Sequence, residues 1–164
     1  MEKLIGKKLN TSVFISGRGS NLKSLIKYSK RNKTKIKIKL IISDNYLAKG
    51  LILAKKYKIN SLIVNYKNKL LAEKKILLLL KKNNINLICL AGYMKILSSQ
   101  FIKKFKYPIL NIHPSLLPKY KGLDTHRRVL KSKDKFTGAT VHLVNAKLDA
   151  GKTIMQKKII VFKK

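Results

Sequence analysis

Short apolar runs alternate with amphipathic stretches along the first half of the chain. The apolar runs predict strands at residues 11–16, 36–42, 61–64 and 87–91. Apolar residues at helical spacing predict three intervening helices. The first starts near Ser20 or Asn21 and has Leu22, Leu25 and Ile26 on its apolar face, and the second has Leu47, Leu51 and Ala54. The third covers residues 70–82 and has Leu70, Leu71, Leu77 and Leu78 on one face. This alternation predicts an α/β fold with a mostly parallel central sheet flanked by helices.

The pattern changes after Gly92. The predicted elements there are a strand at residues 109–113, a proline-bounded loop from Pro114 to about Gly122, a short helix at 125–130, a charged turn at 132–135, and strands at 139–144 and 153–162. Neither a repeat nor a linker interrupts the sequence, so residues 1–164 are predicted to form a single domain. The lysine-rich ends, residues 1–9 and 162–164, are expected to fray.

Composition narrows the class of protein. With 164 residues, 45% of them hydrophobic, the chain can bury a sizeable core, which excludes global disorder. The single Cys89 excludes an internal disulfide framework and a cysteine-rich zinc site, and it suits a reducing compartment. The longest apolar run, residues 76–80, is too short to span a bilayer, and we expect a cytoplasmic protein that does not bind membranes.

The net charge of +33 raises the possibility of nucleic-acid binding. Only Arg18, Arg31, Arg127 and Arg128 are arginines, which leaves 39 − 4 = 35 lysines spread along the whole chain. Arginine is the better reader of base edges, and the lysines do not gather in one segment. We therefore interpret the charge as compositional background that favours anionic substrates, and we expect no specific nucleic-acid partner.

A glycine turn joins the first predicted strand to the first predicted helix. Residues 16–21, Ser-Gly-Arg-Gly-Ser-Asn, place backbone N–H groups at a helix start, where phosphate binds readily. The turn lacks the third glycine of a dinucleotide fingerprint and the Gly-Lys-Ser/Thr of a P-loop. This favours a phosphate monoester as ligand, although a simple tight turn is an equal alternative.

Two further segments carry residues suited to catalysis. In the strand 109–113, alternation places Asn111 and His113 on one face, where an amide and an imidazole can stabilise an oxyanion and move a proton. Asp149 lies in the loop between the last two strands, and a carboxylate beside an imidazole favours the protonated ring and fixes its orientation. A hydrogen-bonded Asn/His pair and an ordinary turn aspartate are the structural alternatives, and spacing does not choose between them.

Other reactive side chains have weaker contexts. No nucleophile elbow surrounds Ser115, and Cys89 lies within an apolar strand. The three histidines, His113, His126 and His142, are scattered and form no recognisable metal set, so no metal is expected.

In order along the chain, these segments resemble the folate-dependent formyltransferase family. The resemblance covers about residues 12–161 and rests on ISGRGSNL, LAGYMKIL, NIHPSLLPKYKG, THR, and GATVHLV followed by LDAG. It implies a Rossmann-like fold and transfer of the formyl group of the co-substrate 10-formyltetrahydrofolate to the primary amine of glycinamide ribonucleotide. The tRNA-formylating members are an alternative, but their typical Arg-Gly-Ala-Ala-Pro-Ile continuation is absent. The hydrolase members usually have histidine where Pro114 stands.

The resemblance also assigns residues by matching position. Asn111, His113 and Asp149 would be catalytic, with Asn111 also near the folate, and Gly19, Ser20 and Asn21 would hold the substrate phosphate. The folate would contact Met94, Lys95, Ile96 and Leu97, with Lys69 nearby, while Thr140 and His142 would support the catalytic residues. The partners are then small molecules, and the chain would be a monomer or a homodimer.

The chain departs from the family at its end. Family members run some tens of residues past the last strand, so we expect a C-terminal segment to be missing after Lys164. The alternatives to an active enzyme are an inactive remnant and a basic nucleic-acid-binding domain on the same scaffold.

Overall fold

The computed structural model describes residues 8–162, so most of the predicted frayed ends lie outside the described residues. Leu9 is an exception, because it already belongs to the first strand. The described residues divide into two compact units at the Pro108–Ile109 junction, and we describe each unit by itself. The assignment of residues 1–164 to a single domain stays a prediction.

The first unit contains alternating strands and helices. They are β1 (Leu9–Ile15), α1 (Ser20–Ser29), β2 (Ile36–Ser43), α2 (Gly50–Lys56), β3 (Asn60–Ile63), α3 (Lys69–Lys82), β4 (Leu87–Leu90) and α4 (Ser99–Lys104). The strands lie in the order β3-β2-β1-β4, and every pair among them is parallel. Consecutive parallel strands need a crossover connection, and the helices provide it.

The centre of this unit is strand β1. Its residues from Thr11 to Ile15 are all buried, because neighbouring strands flank β1 and side chains cover both of its faces. Val13 and Ile15 share one apolar cluster with α1 residues Leu22 and Ile26. The continuous apolar runs in the sequence therefore mark strands buried on both faces, as expected for parallel sheets.

A glycine is required where β1 turns into α1. Gly19 has φ +79°, a left-handed conformation, and an added Cβ would lie 2.7 Å from the Cα of Gly50 at the start of α2. Any other residue at position 19 would strain the backbone and push the two helix starts apart. The predicted glycine turn thus has a structural reason that is independent of any ligand.

Strand and helix positions are largely as predicted in this unit, but the prediction of which face of α3 is buried is wrong. Leu70, Leu71 and Leu78 are more than half exposed, and the buried residues are Ala72, Glu73, Ile76 and Leu80. Residues 72, 76 and 80 share one face at i, i+4 and i+8, so the helix uses a different stripe of its leucine-rich sequence. Leu47, predicted on the face of α2, lies before that helix and is exposed.

Buried Glu73 explains a helix that the hydrophobic pattern did not predict. The carboxylate of Glu73 accepts hydrogen bonds from the backbone N–H (2.8 Å) and the hydroxyl of Ser98. The Ser98 hydroxyl in turn accepts from the N–H of Phe101 (3.0 Å) and caps α4. A polar contact between α3 and the α4 cap therefore positions this six-residue helix.

The second unit is a three-stranded antiparallel sheet with one helix. It contains β5 (Ile109–His113), α5 (Thr125–Ser132), β6 (Phe136–Leu143) and β7 (Thr153–Ile160), and β6 pairs with both other strands. The predicted bounds of β5 are confirmed, while β6 and α5 are longer than predicted. Among the helices of residues 8–162, none combines the length and apolarity needed to cross a bilayer.

Candidate active site

The register of β5 against β6 builds the centre of the candidate site. Asn111 is the cross-strand partner of His142, and His113 is the partner of Thr140. Because side chains alternate along a strand, these four residues project from one face of the β5–β6 pair. Two of the predicted catalytic residues and both predicted supporting residues therefore come together in the second unit.

The imidazole of His113 faces two acceptor oxygens. Its Nε2 atom lies 2.8 Å from the backbone carbonyl oxygen of Tyr120, which can only accept, so this nitrogen donates. Its Nδ1 atom lies 3.3 Å from carboxylate oxygen Oδ2 of Asp149. The ring is 4% exposed, so the loop after β5 and the β6–β7 loop enclose it between them.

The Asp149 carboxylate lies close to every other group of the candidate site described so far except Thr140 and Tyr120. Its Oδ2 atom accepts a 2.8 Å hydrogen bond from the backbone N–H of Gly122. Its Oδ1 atom lies 3.5 Å from the Asn111 side-chain nitrogen and 3.6 Å from His142 Nε2. Asp149 itself is left-handed, with φ +45°, in the tight loop between β6 and β7. Asp149 therefore brings together the three residues that the resemblance assigns as catalytic, Asn111, His113 and Asp149.

The amide of Asn111 also determines the tautomer of His142. The side-chain nitrogen of Asn111 lies 3.1 Å from His142 Nε2, and an amide nitrogen only donates. His142 Nδ1 lies 2.8 Å from the carbonyl oxygen of Leu143, which only accepts. The hydrogen of a neutral His142 therefore sits on Nδ1, and His142 holds the Asn111 amide in place.

Thr140 anchors the loop that follows His113. Its buried hydroxyl donates to the carbonyl of Ser115 (2.7 Å) and accepts from the N–H of Leu117 (3.0 Å) and the amide of Gln156 (2.9 Å). The hydroxyl of Ser115 donates to the carbonyl of Lys119 (2.7 Å). The serine and threonine side chains thus hold the loop through hydrogen bonds to its backbone.

Sequence reasoning missed three contributors to this site. The carbonyl of Tyr120 and the N–H of Gly122 are backbone groups that contact His113 and Asp149. Gln156, on β7, contacts both Thr140 and the carbonyl of Leu117. Backbone groups carry no signature in residue types, and the role of Gln156 depends on the β6–β7 register, in which it faces Thr140.

The residues predicted to bind phosphate lie at the start of α1 in the first unit. Helix α1 begins at Ser20, directly after Gly19, and no side chain caps its first turn. Ser20 is exposed and Asn21 is half-buried. The first N–H groups of α1 therefore remain available to bind an anion, which the positive end of the helix dipole would also attract.

The predicted folate segment, residues 94–97, also lies in the first unit. Met94 and Ile96 are 60% and 63% exposed, whereas Leu97 is buried. Lys95 approaches the Asp44 carboxylate, with 3.8 Å between its Nζ and Oδ2. Lys69, at the start of α3, is exposed. The segment thus presents two apolar side chains, while Leu97 can offer only its backbone to a ligand.

A buried serine joins the phosphate turn to the folate segment. The Ser16 hydroxyl donates to Asp44 and accepts from the N–H of Met94 (2.8 Å), and the Ser16 carbonyl accepts from the side chain of Asn45 (3.1 Å). The ends of β1, β2 and β4 are fixed to one another through these bonds. The positions of both candidate binding segments in this unit therefore depend on Ser16.

Similarity to known proteins extends over nearly the whole chain. The chain is 41% identical to "Phosphoribosylglycinamide formyltransferase" of Haemophilus influenzae over 92% of its own length and 73% of that protein. It is 39% identical to the human "Trifunctional purine biosynthetic protein adenosine-3" over 94% of its length, but it spans only 16% of that protein.

A solved structure of a related protein has a similar fold. The crystal structure of phosphoribosylglycinamide formyltransferase from Anaplasma phagocytophilum is similar with a TM-score of 0.89 and 39% identity, over 96% of this chain and 74% of that chain. The predicted Rossmann-like α/β fold is therefore confirmed. Residues 9–164 also match the family model described as "Formyl transferase". The chain therefore belongs to the formyl transferase family.

Proposed function

We propose that this chain is a phosphoribosylglycinamide formyltransferase. It would transfer the formyl group of 10-formyltetrahydrofolate to the primary amine of glycinamide ribonucleotide, a step of purine biosynthesis. The observation that carries the proposal is the cluster of Asn111, His113 and Asp149, in which the Asp149 carboxylate lies within 3.5 Å of both other side chains. The family membership and the printed names of the relatives support the choice of substrates.

In the proposed reaction the substrate amine attacks the formyl carbon directly. A carbon–nitrogen bond forms, the formyl oxygen becomes an oxyanion, and the bond to N10 of the folate then breaks. The attacking amine loses a proton and the departing N10 gains one, through water beside Asp149. No covalent intermediate with the enzyme forms.

The geometry suggests how each side chain would act. A protonated His113 would donate through Nδ1 toward Asp149 and through Nε2 toward the position that the Tyr120 carbonyl now holds. The formyl oxygen would replace that carbonyl as the acceptor, and the Asn111 amide would provide a second donor. Asp149 would keep the imidazole oriented.

The resemblance also assigns substrate-binding residues in the first unit. The substrate phosphate would bind the uncapped N–H groups at Gly19, Ser20 and Asn21. The folate would lie against Met94 and Ile96 and would contact the backbone of residues 94–97, with Lys69 near its charged end. The partners would then be small molecules.

A formyl-transfer assay with the two purified substrates tests this proposal. We expect Asn111→Ala to lower kcat by about 100- to 1000-fold, the usual effect of losing one oxyanion donor, and His113→Ala to cause a comparable loss. Asn32→Ala changes an exposed asparagine of the first unit and serves as the control. Wild-type turnover by folded His113→Ala would refute the assignment.

A further inference from the structure

One peptide group of the loop after β5 is hydrogen-bonded at both of its ends. Its N–H belongs to Gly122 and donates to the Asp149 carboxylate over 2.8 Å. Its carbonyl oxygen belongs to Lys121 and accepts a 2.6 Å hydrogen bond from the guanidinium nitrogen Nη1 of Arg128. The N–H and the C=O of a trans peptide group point in opposite directions. The Arg128 guanidinium and the Asp149 carboxylate therefore lie at opposite ends of the same peptide group.

The guanidinium of Arg128 also contacts the loop on the other side of Gly122. Its Nη1 atom lies 3.4 Å from the carbonyl oxygen of Leu123, and its central carbon lies 5.5 Å from the centroid of the Tyr120 ring. The N–H groups of a guanidinium have fixed directions and its plane packs well on an aromatic ring. One arginine side chain thus holds the carbonyls on both sides of the Gly122 N–H.

The backbone of this loop requires support from its surroundings. Tyr120, Gly122 and Asp124 all have positive φ, between +55° and +81°. For a tyrosine and an aspartate this left-handed conformation costs free energy, and it persists only where neighbouring contacts hold it. Helix α5 is fixed by buried Val129, so the adjacent Arg128 extends toward the loop from an anchored element.

The residue type at position 128 agrees with a geometric role. Of the 39 basic residues in the chain only four are arginines, so a surface position that needs only positive charge would usually be a lysine. A lysine side chain ends one bond earlier and carries a compact ammonium group, which cannot reproduce the planar guanidinium. The hydrogen bonds to the carbonyls of Lys121 and Leu123 therefore give a reason for arginine here.

We propose that Arg128 is a positioning residue of the candidate site. It fixes the Lys121–Gly122 peptide group so that the Gly122 N–H holds the Asp149 carboxylate beside His113. The positive guanidinium on the carbonyl also polarises the peptide group and strengthens its N–H as a donor. The role in catalysis rests on the proposed function, since Arg128 itself touches neither the substrates nor the reacting atoms.

Amide hydrogen exchange measured by NMR tests the contact independently of catalysis. In Arg128→Lys, the Gly122 N–H should exchange with solvent about tenfold faster than in the wild type, because its peptide group is no longer held at the carbonyl. Arg127→Lys is the matched control, since Arg127 is exposed on the same helix and projects about 100° away from Arg128. It should leave the Gly122 exchange rate unchanged. Equal rates in Arg128→Lys and the wild type would overturn the proposal.

The formyl-transfer assay tests the consequence for the reaction. Arg128→Lys should lower kcat by about tenfold, because a misplaced Asp149 no longer orients His113. The KM of glycinamide ribonucleotide should change by less than about twofold, since its phosphate would bind elsewhere. Arg127→Lys should keep wild-type kinetics. A raised KM with unchanged kcat would assign Arg128 to substrate binding and contradict a positioning role.

A double variant separates an effect through Asp149 from a general effect on the fold. Asp149→Ala removes the carboxylate, so adding Arg128→Lys to it should lower kcat by less than about a further twofold. A further tenfold loss would show that Arg128 acts on another group and would overturn the proposal. If the wild type transferred no formyl group, the proposed function would fail, whereas the exchange rate of the Gly122 N–H would still decide whether Arg128 holds this peptide group.

Discussion

At the scale of single residues, the candidate site depends on one carboxylate. Asp149 lies in a left-handed conformation, accepts from the Gly122 N–H, and approaches Asn111, His113 and His142. Every one of these neighbours can present hydrogen to it except His142, whose Nε2 accepts from Asn111. The Asn111 side-chain nitrogen thus lies within hydrogen-bond range of both the Asp149 carboxylate (3.5 Å) and the unprotonated nitrogen of His142 (3.1 Å).

Asp149→Asn tests the carboxylate with almost no change of shape. In this variant an amide nitrogen replaces one of the two carboxylate oxygens. At the Oδ2 position it would face the Gly122 N–H, and at the Oδ1 position it would face the amide nitrogen of Asn111, so a donor would face a donor in either case. We expect kcat in the formyl-transfer assay to fall by about 100-fold or more. Asp124→Asn changes an exposed carboxylate of the same unit and is the control. Equal activity of both variants would exclude a catalytic role for Asp149.

The only cysteine should be unreactive in the folded chain. Burial within β4 raises the pKa of the Cys89 thiol to about 11. Because the thiolate is the reactive form, alkylation by iodoacetamide at pH 8 should be about 100-fold slower in buffer than in 8 M urea. Mass spectrometry of labelled protein over time measures both rates. Equal rates would show that β4 is open to solvent.

At the scale of elements, the β6–β7 turn positions Asp149 through a close backbone contact. A Cβ added at Gly151 would lie 1.7 Å from the carbonyl oxygen of Leu143, so only glycine fits there. The turn therefore depends on the last residue of the LDAG segment as much as on its aspartate.

Gly151→Ala should consequently destabilise the second unit. Relief of this contact requires a backbone shift at Leu143 in β6, and we expect the free energy of unfolding to fall by about 2 kcal/mol or more. Gly17→Ala is the matched control for stability, because a Cβ there meets no atom within 4 Å. Urea denaturation of both variants gives the comparison. Equal stabilities would mean that the turn is open enough to accept a side chain.

Two tyrosines link the loops that follow β3 and β4. The hydroxyls of Tyr93 and Tyr66 are 2.8 Å apart and hydrogen-bonded. Burial raises the pKa of Tyr66 to about 12, and it also raises the pKa of Tyr93. Both phenols are therefore held in the neutral form in the folded chain.

This pair predicts a loss of stability at alkaline pH. A phenol whose pKa is raised on folding contributes stability that is fully present below pH 10 and is lost as pH rises toward 12, because the unfolded chain ionises first. Between pH 9 and 12, the free energy of unfolding should decrease more steeply in the wild type than in Tyr66→Phe. Tyr46→Phe, at an exposed position, should keep the wild-type slope. Identical slopes in all three proteins would contradict the prediction.

At the scale of the whole molecule, the dominant feature is charge. The chain carries 39 lysine and arginine residues against 6 acidic ones, and three of the acidic side chains, those of Asp44, Glu73 and Asp149, are buried and hydrogen-bonded. Few carboxylates are left to balance the surface, so repulsion between lysines opposes the folded state.

Added salt should therefore stabilise the protein. Raising NaCl from about 20 to 300 mM shortens the Debye length to below 10 Å and screens this repulsion, so Tm should rise by several degrees. Differential scanning calorimetry measures the shift. Choline chloride at the same ionic strength should give an equal rise if screening is the cause. A constant Tm in both salts would show that the lysines are too far apart to repel.

Local patterns were sufficient to predict the backbone elements other than helix α4. The bounds of β5 and the order of strands and helices follow from runs of apolar residues bounded by turn residues. The face of α3 could not be predicted, because five apolar residues at 76–80 supply apolar groups on every side of the helix. Helix α4 was missed because its cap depends on a contact with Glu73, 25 residues earlier in the sequence.

The sequence by itself determined which residue types are available for chemistry and, through the ordered motifs, the family to which they belong. Only the tertiary structure decided that Asp149 contacts Asn111 and His113, residues 38 and 36 positions away, and that backbone groups of Tyr120 and Gly122 complete the site. The physical reason is that hydrophobic periodicity records burial of each element separately. The register of β5 on β6 and the turn at Gly151, by contrast, are set by contacts between segments far apart in the chain.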